Sequence, residues 1–222
     1  MPQDIVPINT IRIILLIEVQ DILNLNDSVM QGTNKKHFNF VLTHNPNLLE
    51  NCKIAQMFEF GTSWIKNYTF PEKEFSVSTL VGGKLYAEGH YLRQKVWFKE
   101  KRIKKIPTKF FLSGNLGGIE NYNNNPILGK DKLALFNSQF HICIENTQRK
   151  NWFTEKLIDC LQTKTIPIYY GCPNIGEWFN IDGFIIVNNL DDIINYMALL
   201  KCYRLRKKAQ DEFDLRQSQR AS

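Results

Sequence analysis

Short apolar runs rich in Ile, Val and Phe recur along the chain and are separated by stretches whose apolar residues return every three or four positions. The runs predict strands at Ile11–Ile17, Phe38–Leu42, Met57–Phe60, Phe75–Val81, Thr108–Leu112, Phe140–Ile144, Ile166–Tyr170 and Phe184–Val187. The periodic stretches predict helices at Asn47–Asn51, Glu88–Lys101, Phe153–Thr163, Ile175–Phe179 and Leu190–Lys201. Strands alternating with helices predict an α/β fold built on parallel sheets. Gly117 to Pro126, "GGIENYNNNP", is a loop by composition, and "TFPEKE" around Pro71 is the best linker. The tail "RLRKKAQDEFDLRQSQRAS" continues with helical spacing before it turns polar.

Composition narrows the partners. The 222 residues carry 28 basic and 22 acidic side chains, a net charge of +6, so anionic ligands such as phosphates, nucleotides, nucleic acid or acidic membrane are favoured. Hydrophobic residues make up 43% of the chain, enough to bury a core for one domain or somewhat more. The five cysteines (Cys52, Cys143, Cys160, Cys172, Cys202) are odd in number and form no C-x-x-C pair. They read as free thiols in a reducing compartment. No apolar run reaches the roughly 18 residues that cross a bilayer. The N-terminus lacks the basic start and small-residue cleavage site of a signal peptide, so the expected location is cytoplasmic. The four histidines show no metal-binding spacing. His141 is expected as a hydrogen-bonded core residue, and His44, after a strand end, as a group facing a cleft.

One stretch carries more chemistry than a plain connection needs: "FHICIENTQRKNWFTEKLIDCLQTKTIPIYYGCPN", Phe140 to Asn174. It reads as strand, loop, helix and strand, and in such sheets ligands bind at the carboxyl ends of strands beside helix starts. Thr154 is placed to cap the helix, whose free backbone N–H groups and dipole favour an anion. Lys156 falls in the first helical turn, where a cation disfavours the helix itself. Either an anion accompanies it, or it is a solvated surface lysine beside a helix-start carboxylate, Glu155.

These residues resemble the signature of the α-1,3-fucosyltransferases, approximately F-x-x-x-x-E-N-[ST], an aromatic-x-T-E-K, then [IV]-P-[IV]-x-x-G-x-P. The match is ordered over about 40 residues, with weaker similarity from Phe75 to Phe184. The resemblance implies a glycosyltransferase of the B type, with Rossmann-like parallel sheets, that binds GDP-fucose. It implies that Glu155 holds fucose hydroxyls and that Lys156 neutralises the diphosphate. Asn146, Thr147, Thr154 and Trp152 would line the same pocket, Trp152 standing where the family usually has tyrosine. Arg93, in "RQKVW", matches loosely an arginine that binds the diphosphate, a task suited to a guanidinium fork. Ser138-Gln139 replaces an aromatic-basic pair common before the central strand.

The implied organisation is a shortened acceptor-side region over residues 1–72, a GDP-sugar donor domain over 73–202 and a basic tail over 203–222. The tail's charge also suits peripheral contact with a membrane. The implied reaction is transfer of fucose to a glycan hydroxyl with inversion, which needs a base, stabilisation of positive charge on the sugar and stabilisation of the leaving diphosphate. Glu18, at the end of the early strand "ILLIEV", is the candidate base, matching the family's early strand-end position, with Glu59 next. Glu155 is the second catalytic carboxylate. No D-x-D motif occurs, so no metal or other cofactor is expected and positive side chains take the role of a metal clamp. Two readings compete. One is a non-catalytic nucleotide-sugar binding module. The other is a nucleic-acid binder built on the basic, aromatic-rich stretch Lys95 to Phe111, but its aromatics fall at core positions, so no nucleic acid partner is expected.

Overall fold

In the computed structural model, the described residues are 10–18, 37–59, 62–66, 72–99, 106–114, 119 and 124–220, with backbone alone from 207 onward. They form two parallel sheets. The first contains β1 (Ile13–Leu16), β2 (Phe40–Thr43) and β3 (Ala55–Met57), in that order. A short helix, α1 (Pro46–Asn51), connects β2 to β3, started by proline at its first position and by the Asn45 side chain accepting from the Asn47 N–H at 2.9 Å. Leu16, Val41, Leu48 and Cys52 close a small core between α1 and the sheet.

The second sheet has six strands. β4 (Glu74–Val81), β5 (Thr108–Ser113), β6 (Ile127–Leu128), β7 (Ser138–Ile144), β8 (Ile166–Tyr170) and β9 (Ile185–Ile186) are ordered β6-β5-β4-β7-β8-β9, all parallel. Both faces are covered, and for that reason the strands read as nearly continuous apolar runs. On one face Val77 and Val81 pack with Phe140, Ile142 and Ile168 against α2 (Glu88–Phe98) and α4 (Leu190–Arg220). On the other, Cys143 and Tyr169 meet Leu157 and Cys160 of α3 (Glu155–Gln162) and the 3-10 turn Leu133–Asn137. This second face also buries polar groups in satisfied pairs. Ser76 Oγ donates to Ser138 Oγ at 2.8 Å, and Ser78 Oγ lies 2.8 Å from His141 Nδ1. His141 is thus the hydrogen-bonded core residue that its strand position predicts.

The chain runs from β4 outward to β5 and β6, then returns to β7 and continues the other way. The switch lies between β4 and β7, and a crevice opens beyond their carboxyl ends. α2 and α3, which follow these two strands, aim their first turns at it. Gly89 lets them close up. Its N–H donates to the Asn146 carbonyl at 2.9 Å, and a Cβ at this position would lie 1.8 Å from the Glu145 carbonyl oxygen. Only glycine fits between this helix and that loop.

Several predicted boundaries move. The helix placed at Phe153–Thr163 begins at Glu155, because Thr154 is extended and caps it. Ile175–Phe179 is a single 3-10 turn, Ile175–Glu177. The strand placed at Met57–Phe60 is Ala55–Met57, and Phe60 lies outside the described residues, as does the Pro71 linker. β6 was not anticipated, since two residues carry no periodicity. α4 continues from Leu190 to Arg220, so the boundary expected at 202 falls inside one helix. Asp191 and Asp192 in its first turn complement the helix dipole, and Arg204 lies 5.0 Å over the Phe75 ring. Among the described residues no helix is long and apolar enough to cross a membrane.

The tight approach at Gly89 gives a direct test. Gly89→Ala should destabilise the protein by about 3 kcal/mol or more, since backbone rather than a flexible side chain must move. Gly183→Ala meets nothing within 4 Å and should change stability by less than about 0.5 kcal/mol. Urea midpoints of the two variants check both values.

Candidate active site

A cavity of about 460 Å³ occupies the crevice, and Glu18, Arg93, Asn146, Trp152, Glu155 and Lys156 all line it. Each arrives on a different local device. The most deeply set is one carboxylate. Glu145 ends β7, is fully buried, and its two oxygens hold the start of α3. Oε1 accepts from the Thr154 N–H at 2.8 Å, and Oε2 accepts from the Thr154 hydroxyl at 2.7 Å. The Thr154 hydroxyl in turn accepts from the Lys156 N–H at 3.4 Å, completing the cap.

Lys156 turns back over this cap. Its Nζ lies 3.4 Å from Glu145 Oε2, 3.0 Å from Glu155 Oε1 and 3.0 Å from Thr154 Oγ1. Burial disfavours its charge, but the carboxylates of Glu145 and Glu155 outweigh burial and the repulsion of Arg93, so its pKa stands above the usual lysine value. The anion that a first-turn lysine needs is therefore supplied partly from within the chain. The reading of Lys156 as a solvated surface lysine does not hold.

Arg93 comes from the second turn of α2. Its Nε donates to the Gly89 carbonyl at 3.2 Å and its Nη2 donates to Asn146 Oδ1 at 2.6 Å. Burial pulls its pKa down, and the negative field of Glu145 and Glu155 opposes that. Arg93 and Lys156 are thus held by adjacent residues, Asn146 and Glu145, and both line the one cavity. Two further lysines line it, Lys84 in the loop after β4 and Lys132 before the 3-10 turn. Lys132 Nζ donates to the Gly129 carbonyl at 2.8 Å.

Thr147 is placed differently from the rest. Its hydroxyl donates to Glu88 Oε1 at 3.0 Å, which also accepts from the Gln148 N–H at 2.9 Å, and Thr147 is not among the lining residues. Burial pushes the Glu88 pKa up, but Gln148, Thr147, the Tyr170 hydroxyl and Arg149 together bring it below the usual carboxylate value. Thr147 therefore fastens the loop to the start of α2.

Trp152 joins the two sheets. It is 1% exposed, and its indole N–H donates to the Ile17 carbonyl at the end of β1, 3.1 Å away. The His44 ring lies 6.2 Å from it. That contact carries Glu18, the next residue, to the cavity, where it is exposed. Glu59 is exposed beyond β3 and is not among the lining residues; His44 is buried against Trp152 and is not among them either. The residues that pattern reasoning missed are Glu145, Glu88, Lys84, Lys132, Asp159 and Trp64. Glu145 had a signal, a charged residue ending a continuous apolar strand. Lys132 had none.

Residues 119–213 match the profile of glycosyltransferase family 10 (fucosyltransferase), C-terminal region. Across 91 residues the chain is 34% identical to the alpha-(1,3)-fucosyltransferase FucT of Helicobacter pylori, which covers 40% of this chain and 19% of that protein. Three solved structures of α1,3-fucosyltransferase share the fold: one alone (TM-score 0.56, 17% identity), one with GDP (0.53, 17%) and one with GDP-fucose (0.55, 18%). They cover 88%, 88% and 89% of this chain and 63%, 64% and 64% of their own lengths. The chain thus spans about a fifth of the curated relative and under two thirds of the solved ones. The resemblance carried by the E-N-T, T-E-K and I-P-I motifs is borne out, as is an α/β fold of parallel sheets like that of the B-type fucosyltransferases.

Three histidines set an acid limit on the fold around this site. Burial holds His44, His90 and His141 down at about 4, with Arg93, Lys84 and Lys156 adding repulsion at His90. The unfolded chain binds these protons near 6.5 and the folded chain near 4, so stability should fall as pH drops from about 6.5 to 4. His141→Gln should flatten that fall. Urea midpoints measured across this range check the sign.

Proposed function

We propose that this chain binds GDP-fucose in the crevice between β4 and β7 and transfers fucose to a glycan hydroxyl with inversion. The observation that carries this reading is the sharing of one cavity by Glu18, from the first sheet, and Arg93, Asn146, Glu155 and Lys156, from the second. That puts a carboxylate and cations in one cavity, both of which an inverting transfer needs. The relatives with bound GDP and GDP-fucose have the same fold and add support.

In this mechanism the Glu18 carboxylate takes the proton of the acceptor hydroxyl as its oxygen attacks the sugar's anomeric carbon. The bond from that carbon to the diphosphate breaks, and GDP leaves with the electron pair. Positive charge developing on the sugar is met by Glu155, and negative charge developing on the leaving group by Arg93 and Lys156. A diphosphate arriving here competes with Glu145 and Glu155 for the Lys156 ammonium. Lys84 and Lys132 supply the additional positive charge that lets Lys156 serve both. Trp152 and Asn146 shape the sugar end of the pocket, and Thr154 holds the helix start that carries Glu155 and Lys156.

We assign residues 1–72 to the acceptor side, 73–202 to the donor side and 203–222 to a basic extension, and we place the protein in the cytoplasm. The reading gives the clamp on the diphosphate to Arg93, Lys156, Lys84 and Lys132, all of which line the cavity. The chain has no D-x-D motif.

GDP and GDP-fucose should stabilise the protein in a thermal-shift assay, by about 2.7 kcal/mol at 100 times the dissociation constant. Equal stabilisation by UDP would defeat the donor assignment. Lys156→Ala should weaken GDP binding by about 1–3 kcal/mol in calorimetry.

Glu18→Gln tests the chemistry separately from binding. GDP affinity should persist, while transfer to a glycan acceptor should fall by about 10²–10⁴-fold. Wild-type turnover should survive a chelator, and reversible loss on adding EDTA would show a metal requirement. A protein that binds GDP but transfers fucose to nothing in a broad glycan panel would be a binding module instead.

A further inference from the structure

The segment that follows the first sheet approaches α3 at one point. Asp159 Oδ1 accepts from the Ser63 hydroxyl at 2.8 Å, the Trp64 N–H at 2.9 Å and the Ile65 N–H at 3.2 Å. Gln162 Nε2 donates to the Ile65 carbonyl at 2.8 Å. Ile65 is buried in the core beside Leu157 and Cys160. The backbone of residues 63–65 is therefore held by a carboxylate, an amide and a buried side chain. Yet the Trp64 side chain is 55% exposed, and it lines the same cavity as Glu18 and Glu155.

A tightly held backbone that presents an open indole is a rigid apolar plate. Its neighbours indicate what it meets. Glu155 and Asp159 are four residues apart on α3, so they share a face of the helix about 6 Å apart along its axis. Trp64 is fixed at Asp159, one turn from the carboxylate assigned to the fucose. Carboxylates accept hydrogen bonds from hydroxyls and repel phosphate. The electron-rich face of an indole attracts the polarised C–H groups on the apolar face of a pyranose.

We propose that Trp64, held in place by Asp159, is the platform on which the acceptor sugar stacks. The proposal rests on the glycosyltransferase reading and adds to it the place where the acceptor lies. Asp159 is a positioning residue, because it acts on the acceptor through the backbone of residues 63–65.

The chain has four tryptophans, and their indole N–H signals can be followed by ¹⁵N NMR. Trp64→Phe identifies the Trp64 signal by its loss. Titration with lactose and with N-acetyllactosamine, with and without GDP, should shift that signal more than the other three. Trp64→Ala should raise the acceptor KM by about 5- to 10-fold, with GDP affinity within about twofold of wild type. Asp159→Asn should raise the acceptor KM in the same direction and broaden the Trp64 signal, which a purely structural loss of stability would not do selectively. A Trp64 signal unmoved by both sugars overturns the proposal. A tenfold loss of GDP affinity in Trp64→Ala also overturns it, by giving the indole to the nucleotide base. Absence of GDP binding in the wild type would instead defeat the donor reading, while the sugar titration still decides the role of Trp64.

Discussion

The site depends on the Glu145 carboxylate. Fully buried, its two oxygens would be costly to leave without partners, and the surrounding chain is arranged to satisfy them. Thr154 gives it a backbone N–H and a hydroxyl, and Lys156 gives it a counter-charge. Its own N–H donates to the Tyr170 carbonyl at 2.8 Å, tying β7 to the end of β8. The close packing extends to two glycines. A Cβ on Gly171 would lie 2.7 Å from Glu145 Cγ, and one on Gly89 would strike the Glu145 carbonyl. One side chain thus fixes the start of α3, and the backbone on either side of it sets the spacing to α2. Arg93 and Lys156 hold their mutual positions because both helices are set against this residue.

Specific polar contacts link the first sheet and the segment after it to the second. Trp152 reaches the end of β1, Asn151 Nδ2 donates to the His44 carbonyl at 3.4 Å, and Asp159 holds residues 63–65. All three originate in the loop and helix after β7. The element that carries Glu155 and Lys156 is therefore also the one that orients the first sheet. The proposed base after β1 and the proposed donor site on α3 are thus tied to each other through the stretch from Asn151 to Gln162.

Much of this was legible in the chain itself, for identifiable reasons. β7, α3 and β8 were recognisable because both faces of the sheet are covered, so apolar runs are long and the T-E-K turn between them stands out. Lys156 stood out because a cation at a helix start opposes the dipole, and the structure pairs it with Glu145 and Glu155 at the cavity. What stayed hidden lies in partnerships across long separations. Nothing local marks Asp159 as the anchor of a segment 94 to 96 residues earlier. Thr147 looks like a pocket residue in its motif, yet its hydroxyl serves Glu88, a helix start 59 residues away. Helix ends shifted by one or two residues wherever a cap such as Thr154, rather than periodicity, sets the boundary.

The position of the switch between β4 and β7 bears on how the molecule is made. These central strands pair across the sheet although Ser78 and His141 are 63 residues apart. Closing so long a loop is entropically slow. Glu145 then waits for the Tyr170 carbonyl and the bare backbone of Gly171, both still later in the chain. On a ribosome that adds residues from the N-terminus, the first sheet and β4 emerge well before anything can complete the crevice. The nascent chain must keep the apolar faces of β4 and β5 out of wrong partnerships until residue 171 has left the exit tunnel. The order of strands that creates the crevice also makes it close late, with only β9 of the sheet still to come.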